Sequence, residues 1–238
     1  MRRVPHYLII GNGRVASHFQ HYFSLLNLAY SSWHRKLPLS SLNQLLPDAT
    51  HILLLISDQA IDAFISEYLQ QSDAIRIHFS GCLISDQAYG AHPLMTFSHH
   101  LYDIHKYQAL PFVIDHDAPA FTDLLPGLMN PHTRLHKSLK PKYHAMCVMG
   151  GNFSCMLWQK LFNTFENEFN IPPEIAHQYL QQQTQNLLQS PQTALTGPLV
   201  RNDQLTLQKN MNALENDAFQ PIYKSFVECY TQINEVKK

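Results

Sequence analysis

The stretch YLIIGNGRVASHF, residues 7–19, sets an apolar run directly against the pattern glycine, any residue, glycine, two residues, alanine at positions 11, 13 and 16. Such a pattern alone also marks ordinary turns, so its context decides. Before it, YLII has the length and composition of a buried strand. After it, Val15, Phe19, Tyr22, Phe23 and Leu26 recur near helical spacing. In a strand-turn-helix setting Gly11 permits the tight turn, Gly13 the close approach of a pyrophosphate, and Ala16 the close packing of helix on sheet. Free amides at the start of that helix would bind the phosphates, which makes Gly11, Asn12, Gly13, Arg14, Val15 and Ala16 candidate cofactor contacts.

Outward from the turn, LAYSSW (28–33), HILLLI (51–56) and IRIHF (75–79) repeat the strand signature, and residues 14–27 and 58–71 carry helical periodicity. The four strands read as parallel and buried on both faces, and the alternation predicts a doubly wound α/β sheet of the Rossmann type. YGAHPL, LPFVID and TRLHKSL are further strands, with a helix from about Ala118 to Leu128. From Lys142 the texture changes to three long helical stretches separated by NIPP, SPQ and TGP. The boundary is expected near Ser138–Pro141, giving a Rossmann-like domain over 1–138 and an all-helical domain over 139–238.

The end of the second strand selects the cofactor. An NAD site places a carboxylate there for the ribose hydroxyls, but this chain reads SSWHRK. With no carboxylate to repel a 2'-phosphate, and with Ser32, His34, Arg35 and Lys36 to bind one, the stretch favours NADP. Ser57 and Asp58 follow the third strand at the carboxyl edge where ligands collect, with Asp58 expected to cap the next helix. Ser80, after the fourth strand, is placed to bond the nicotinamide ribose or substrate.

Seventeen Lys and Arg against eighteen Asp and Glu leave a formal net charge of -1, so there is no electrostatic footprint for nucleic acid or an anionic membrane; a small molecule is the expected partner. Cys82, Cys147, Cys155 and Cys229 show neither a CxxC pair nor zinc spacing, which points to reduced thiols and a cytoplasmic protein. The apolar run at the amino end stops at Gly11, short of a signal peptide, and no later run reaches membrane-spanning length. The fifteen histidines lack ligand-spaced acidic or cysteine partners, so no metal site is expected.

At HFSGCL, GAHPLMTF, KPKYHAMCVMGGNF and ALTGPLVRNDQLTLQKNMNAL the chain resembles a bacterial family of Rossmann-like proteins with a carboxyl-terminal domain of unknown function, DUF2520. The matching positions are Ser80–Gly81, His92–Leu94 with Thr96 and Phe97, Tyr143–Ala145 with Asn152 and Phe153, Ala194–Pro198, and Arg201 with Asp203. Asn202 stands where glycine is customary and Asn210 where histidine is common. The resemblance implies an NADP-type Rossmann domain and a helical domain similar to those of 6-phosphogluconate dehydrogenase and pyrroline-5-carboxylate reductase relatives, which often dimerise through their helices. HPLMTF is also similar to the histidine-proline-methionine stretch of prephenate dehydrogenases, whose histidine contacts the reacting hydroxyl.

His92 is therefore the first candidate for the proton exchange that accompanies hydride transfer, with Pro93 biasing it to an extended conformation. His144 and Asn152, eight residues apart on an expected helix, differ in direction by about 80° and would border the same cleft between the domains. Gly150 and Gly151 suggest close approach of the cofactor or of another helix, and Arg201 either a substrate carboxylate or a surface ion pair. The reading is an NADP-dependent oxidoreductase acting on a small hydroxy, keto or imino substrate, and a homodimer through residues beyond Lys142. A non-catalytic NADP-binding sensor or interaction protein would need the same glycine-rich turn.

Overall fold

The computed structural model describes residues 4–235. Two compact units emerge, Met1–Met156 and Leu157–Lys238. The first includes the helical turns after Ser138–Pro141, the stretch at which the change of texture suggested a boundary.

Seven strands form one sheet: β1 (Tyr7–Ile10), β2 (Tyr30–Trp33), β3 (His51–Leu54), β4 (Ile75–His78), β5 (Tyr89–Pro93), β6 (Phe112–Asp115) and β7 (His132–Leu135). Their order is β2-β1-β3-β4-β5-β6-β7, parallel throughout except for the antiparallel β5–β6 pair. This is the expected Rossmann-type architecture. The strands' two-residue alternation divides the core into two layers. Tyr7, Ile9 and Leu53 face one cluster with Phe19, Tyr22 and Phe23 of α1 (Arg14–Leu25). Leu8, Ile10, Ile52 and Leu54 face the other, with Leu42 of α2 (Leu39–Leu45) and Ile61 and Ile65 of α3 (Asp58–Tyr68). Helices on both faces of a parallel sheet explain why β1 and β3 are apolar at every or nearly every position.

Some local expectations are corrected. β2 is not buried on both faces: it pairs only with β1, at the sheet edge, and Ser32 is exposed there. The helix expected over 118–128 shrinks to α5 (Phe121–Leu124), because Leu125 precedes Pro126 and leaves the helical region at φ -133°, ψ 67°. Two short helices escaped the periodicity, α2 and α4 (Ile104–Gln108), the latter capped by Asp103, whose carboxylate accepts from the Lys106 amide.

After β7 a 3-10 turn leads into α6 (Lys140–Cys147), then a π-helical turn (Val148–Phe153) and α7 (Ser154–Asn167). A 3-10 turn at Pro173–Ala176 precedes α8 (His177–Gln189). The last expected helix is two, α9 (Gln204–Ala213) and α10 (Gln220–Glu235), separated where Asn216 takes φ +65°. In that break Asp217 accepts the Phe219 amide and pairs with Lys160 at 2.6 Å.

Candidate active site

The glycine-rich turn is built as its residues require. Gly11 has φ +135°, and a Cβ there would stand 2.2 Å from the Leu55 carbonyl oxygen, so the turn crosses the end of β3 too closely for any side chain. Its amide donates to the Trp33 carbonyl, tying the turn to β2. Gly13 is the residue before α1, and no protein atom lies within 4 Å of where its Cβ would be. The first turn of α1 has no side-chain cap and no acidic residue, leaving its amides free for an anion. Ala16 is fully buried against the sheet.

Two cavities open on this turn. The larger, about 720 Å³, is lined by Gly11, Asn12 and Gly13, by His34, Arg35 and Lys36 after β2, and by Ser57 before α3. The smaller, about 320 Å³, is lined by Gly13, Arg14, Val15 and Ala16 and, across the strand ends, by Asp58 and Ser80. Ser32 lines neither cavity. The donor set suits a dinucleotide phosphate: free helix amides at one end, three basic side chains at the other, and a glycine that leaves room between them. Asp58 does not cap α3 as expected. Ser57 holds the capping position, and the Asp58 carboxylate instead accepts from Ser80 Oγ at 2.5 Å. That hydroxyl also accepts from the amides of Cys82 and Leu83, so Ser80 organises the turn after β4 as well as lining the cavity.

Next to Ser80, Gly81 opens onto two imidazoles. A Cβ at Gly81 would stand 2.5 Å from His144 Cδ2 and 3.2 Å from His92 Nε2. The His92 and His144 rings lie edge to face with centroids 5.9 Å apart. His92 Nδ1 is 2.7 Å from the Tyr143 hydroxyl. Burial pushes the His92 imidazolium down to about 4, helped by His144 and Lys140 and opposed by Asp58. His92 is therefore a neutral imidazole at pH 7. Burial, with Cys147 one turn further along α6, pushes the Tyr143 hydroxyl up, so it keeps its proton.

The structure thus brings together His92 and His144 but not Asn152. His144 stands edge to face with His92, whereas Asn152 lies in the π turn and lines neither cavity. Asn152 is exposed in that turn and its side chain makes no hydrogen bond among the described residues. Gly150 and Gly151 have no atom of the described residues within 4 Å of their would-be Cβ positions, so within one copy of the chain no other helix approaches them closely. Arg201 lies exposed in the turn before α9, where Asp203 caps the helix by accepting from the Thr206 amide and hydroxyl. Asn202 has φ +54°, which explains why the position tolerates asparagine in place of the customary glycine. Sequence reasoning missed Tyr143 and Lys140. Their signal was present: Lys140, Tyr143 and His144 stand at i, i+3 and i+4, one helical face.

Residues 113–229 match the family described as a domain of unknown function (DUF2520). The match covers just under half of the chain. No curated protein matches it. Among solved structures, a Bacteroides fragilis protein described as a candidate NADP oxidoreductase superposes with TM-score 0.75 at 17% identity, covering 97% of this chain and 99% of its own. A Thermotoga maritima protein gives TM-score 0.68 at 18% identity, with 97% and 99% covered. Plasmodium falciparum pyrroline carboxylate reductase with NADP bound gives TM-score 0.53 at 12% identity, with 98% of each chain covered. At such identities the shared property is the fold, and the matched residues run within it from β6 to α10. No helix among the described residues is long and apolar enough to cross a membrane.

Proposed function

We propose that this DUF2520 protein is an NADP-dependent oxidoreductase that moves hydride between the cofactor and a small hydroxy, keto or imino substrate. The carrying observation is the cavity that joins Gly11–Gly13 to His34, Arg35 and Lys36 without a carboxylate among its lining residues. The fold similarity to a reductase with NADP bound supports the same cofactor. The glycine turn and the amides of α1 would hold the pyrophosphate, and the basic triplet the 2'-phosphate. When bound, the nicotinamide supplies the hydride acceptor or donor.

The chain's own part in the reaction is the proton. With Nδ1 engaged by Tyr143, His92 Nε2 is the ring nitrogen left to exchange a proton with substrate, and it faces Gly81 beside the cavity residue Ser80. A neutral imidazole accepts the hydroxyl proton of an alcohol as hydride leaves its carbon. In the reverse direction the resulting imidazolium returns it to the reduced oxygen or nitrogen. His144 stays in the assignment as a neighbour of His92, and Asn152 as a further candidate from the π turn. We also propose a cytoplasmic homodimer, supported by four free cysteines and by the exposed apolar faces of α7, α8 and α10.

Calorimetric titration with NADPH and NADH tests the cofactor reading. NADPH should bind more tightly, and Arg35→Ala should cost about 1.5–3 kcal/mol, roughly 10- to 150-fold, of NADPH affinity while sparing NADH. Equal affinities, or an unaffected Arg35→Ala variant, would remove Arg35 from the 2'-phosphate. Tight NADPH binding without turnover on a panel of carbonyl, imine and alcohol substrates would favour a sensor.

A further inference from the structure

Helix α6 turns one face, Lys140, Tyr143 and His144, toward the sheet, and that face meets β5 at two successive places. At the first, the Lys140 ammonium lies 2.8 Å from Asp115 Oδ1, with the two side chains only 5% and 2% exposed. The other Asp115 oxygen accepts the Gly90 amide at 2.7 Å. Gly90 gives the ammonium its space, since a Cβ there would stand 2.3 Å from Lys140 Nζ. At the second, two residues along β5 and so on the same strand face, His92 meets Tyr143 and His144. The ionic contact reaches Asp115 of β6 over Gly90 of β5, and the imidazole contact reaches His92 two residues further along β5, both from one face of α6.

We propose that the buried Lys140–Asp115 pair is a positioning device for the acid–base site: it locks the first turn of α6 to β5 and β6, holding Tyr143 and His144 against His92, and fixes a positive charge behind that imidazole. The inference rests on the reading of His92 as the proton-exchanging group.

A pair serving stability alone would be a poor choice, because well-packed apolar residues of like volume commonly stabilise as well or better. The surroundings give the charge a second role. His78 of β4, registered opposite Gly90, is fully buried with no hydrogen-bond partner for either ring nitrogen. Burial and then the Lys140 ammonium push His78 down to about 3, and Lys140 acts in the same direction on His92. The groups facing His92 are His144, Lys140, Tyr143 and Asp58, and of these only the Asp58 carboxylate favours the imidazolium. Burial is the main cause for both imidazoles, and the Lys140 ammonium adds to it at each, with Lys137 acting the same way and Asp62 the opposite way on His78.

The test follows the His92 imidazole by NMR in the full chain labelled at histidine. The double variant Lys140→Met/Asp115→Asn removes both charges and retains an acceptor for the Gly90 amide. Its His92 midpoint should rise above about 4, and the wild-type ring signals should broaden as Tyr143 and His144 lose their fixed places. An unchanged midpoint in a folded variant overturns the proposal. Gly90→Ala is the second probe, leaving both charges in the chain but displacing the ammonium. It should raise the midpoint in the same direction, and an unchanged midpoint there also counts against the clamp. NADPH affinity, measured on the same samples, should stay within about twofold of wild type, because no residue of the pair lines either cavity. Failure of the wild-type chain to bind NADPH would sink the functional reading while leaving the His92 measurement standing.

Discussion

A histidine held neutral inside a protein carries a signature that needs no substrate to be read. In the unfolded chain His92 takes up a proton as pH falls through about 6.5, whereas in the folded chain it does so only near 4. Over that window the unfolded state binds more protons, so stability falls as pH drops from about 6.5 to 4 and this contribution is complete below the folded value. His78, pushed to about 3, adds to the same slope. Urea unfolding should show a midpoint that declines across this window, and His92→Asn should flatten the decline without abolishing it. Once a substrate is in hand, His92→Asn should lower turnover by about 10²–10⁴ with NADPH affinity nearly intact. A variant that turns over at the wild-type rate would leave His92 a packing residue. The candidacy of this residue came from the resemblance of HPLMTF, and its partner had no such signal. Tyr143 is 51 positions away in sequence, and only the fold brings its hydroxyl to Nδ1.

Among elements, the β1–α1 turn is where local chemistry and tertiary contact coincide. Gly11 carries two demands at once, a positive φ and the Leu55 carbonyl 2.2 Å from any Cβ. Gly11→Ala should therefore destabilise the protein by about 2–4 kcal/mol and weaken NADPH binding, because the turn must lift off β3 to make room. Denaturant melts and calorimetry on the same variant check both effects, and wild-type stability would contradict the close approach. The strand-turn-helix reading needed only nearest-neighbour patterns, which is why it survived. The π turn between His144 and Asn152 left no such local mark, since periodicity along the chain does not show where the hydrogen-bond register changes. β2 was misjudged for a related reason: its composition says strand, but only the sheet order says edge.

At the scale of the whole molecule, the helical unit leaves most of its apolar side chains exposed. Among the described residues beyond Met156 only Ala176 and Leu207 are buried apolar side chains, while Leu188 is 81% exposed and Ile233 58%. α7, α8 and α10 bury no residue although α7 and α10 are amphipathic. Helices of this length are marginal without a packed face. A second copy of the chain would bury those faces symmetrically. Light scattering should give twice the 27.4 kDa chain mass at micromolar concentration, and Phe226→Glu, at a half-exposed site on α10, should shift the chain toward monomer and lower its melting temperature. A wild-type monomer would mean that these faces stay open in solution.

By itself the sequence determined the alternation of strand and helix, the glycine-rich turn with the basic triplet after β2, and the candidacy of His92, since each is set by residues within a few positions of one another. Tertiary structure decided the edge position of β2, the antiparallel β5–β6 pair, the meeting of Asp58 with Ser80, and the clamp of Lys140 on Asp115. Those depend on which distant segments share a sheet edge or a helix face, and periodicity along the chain carries no record of that.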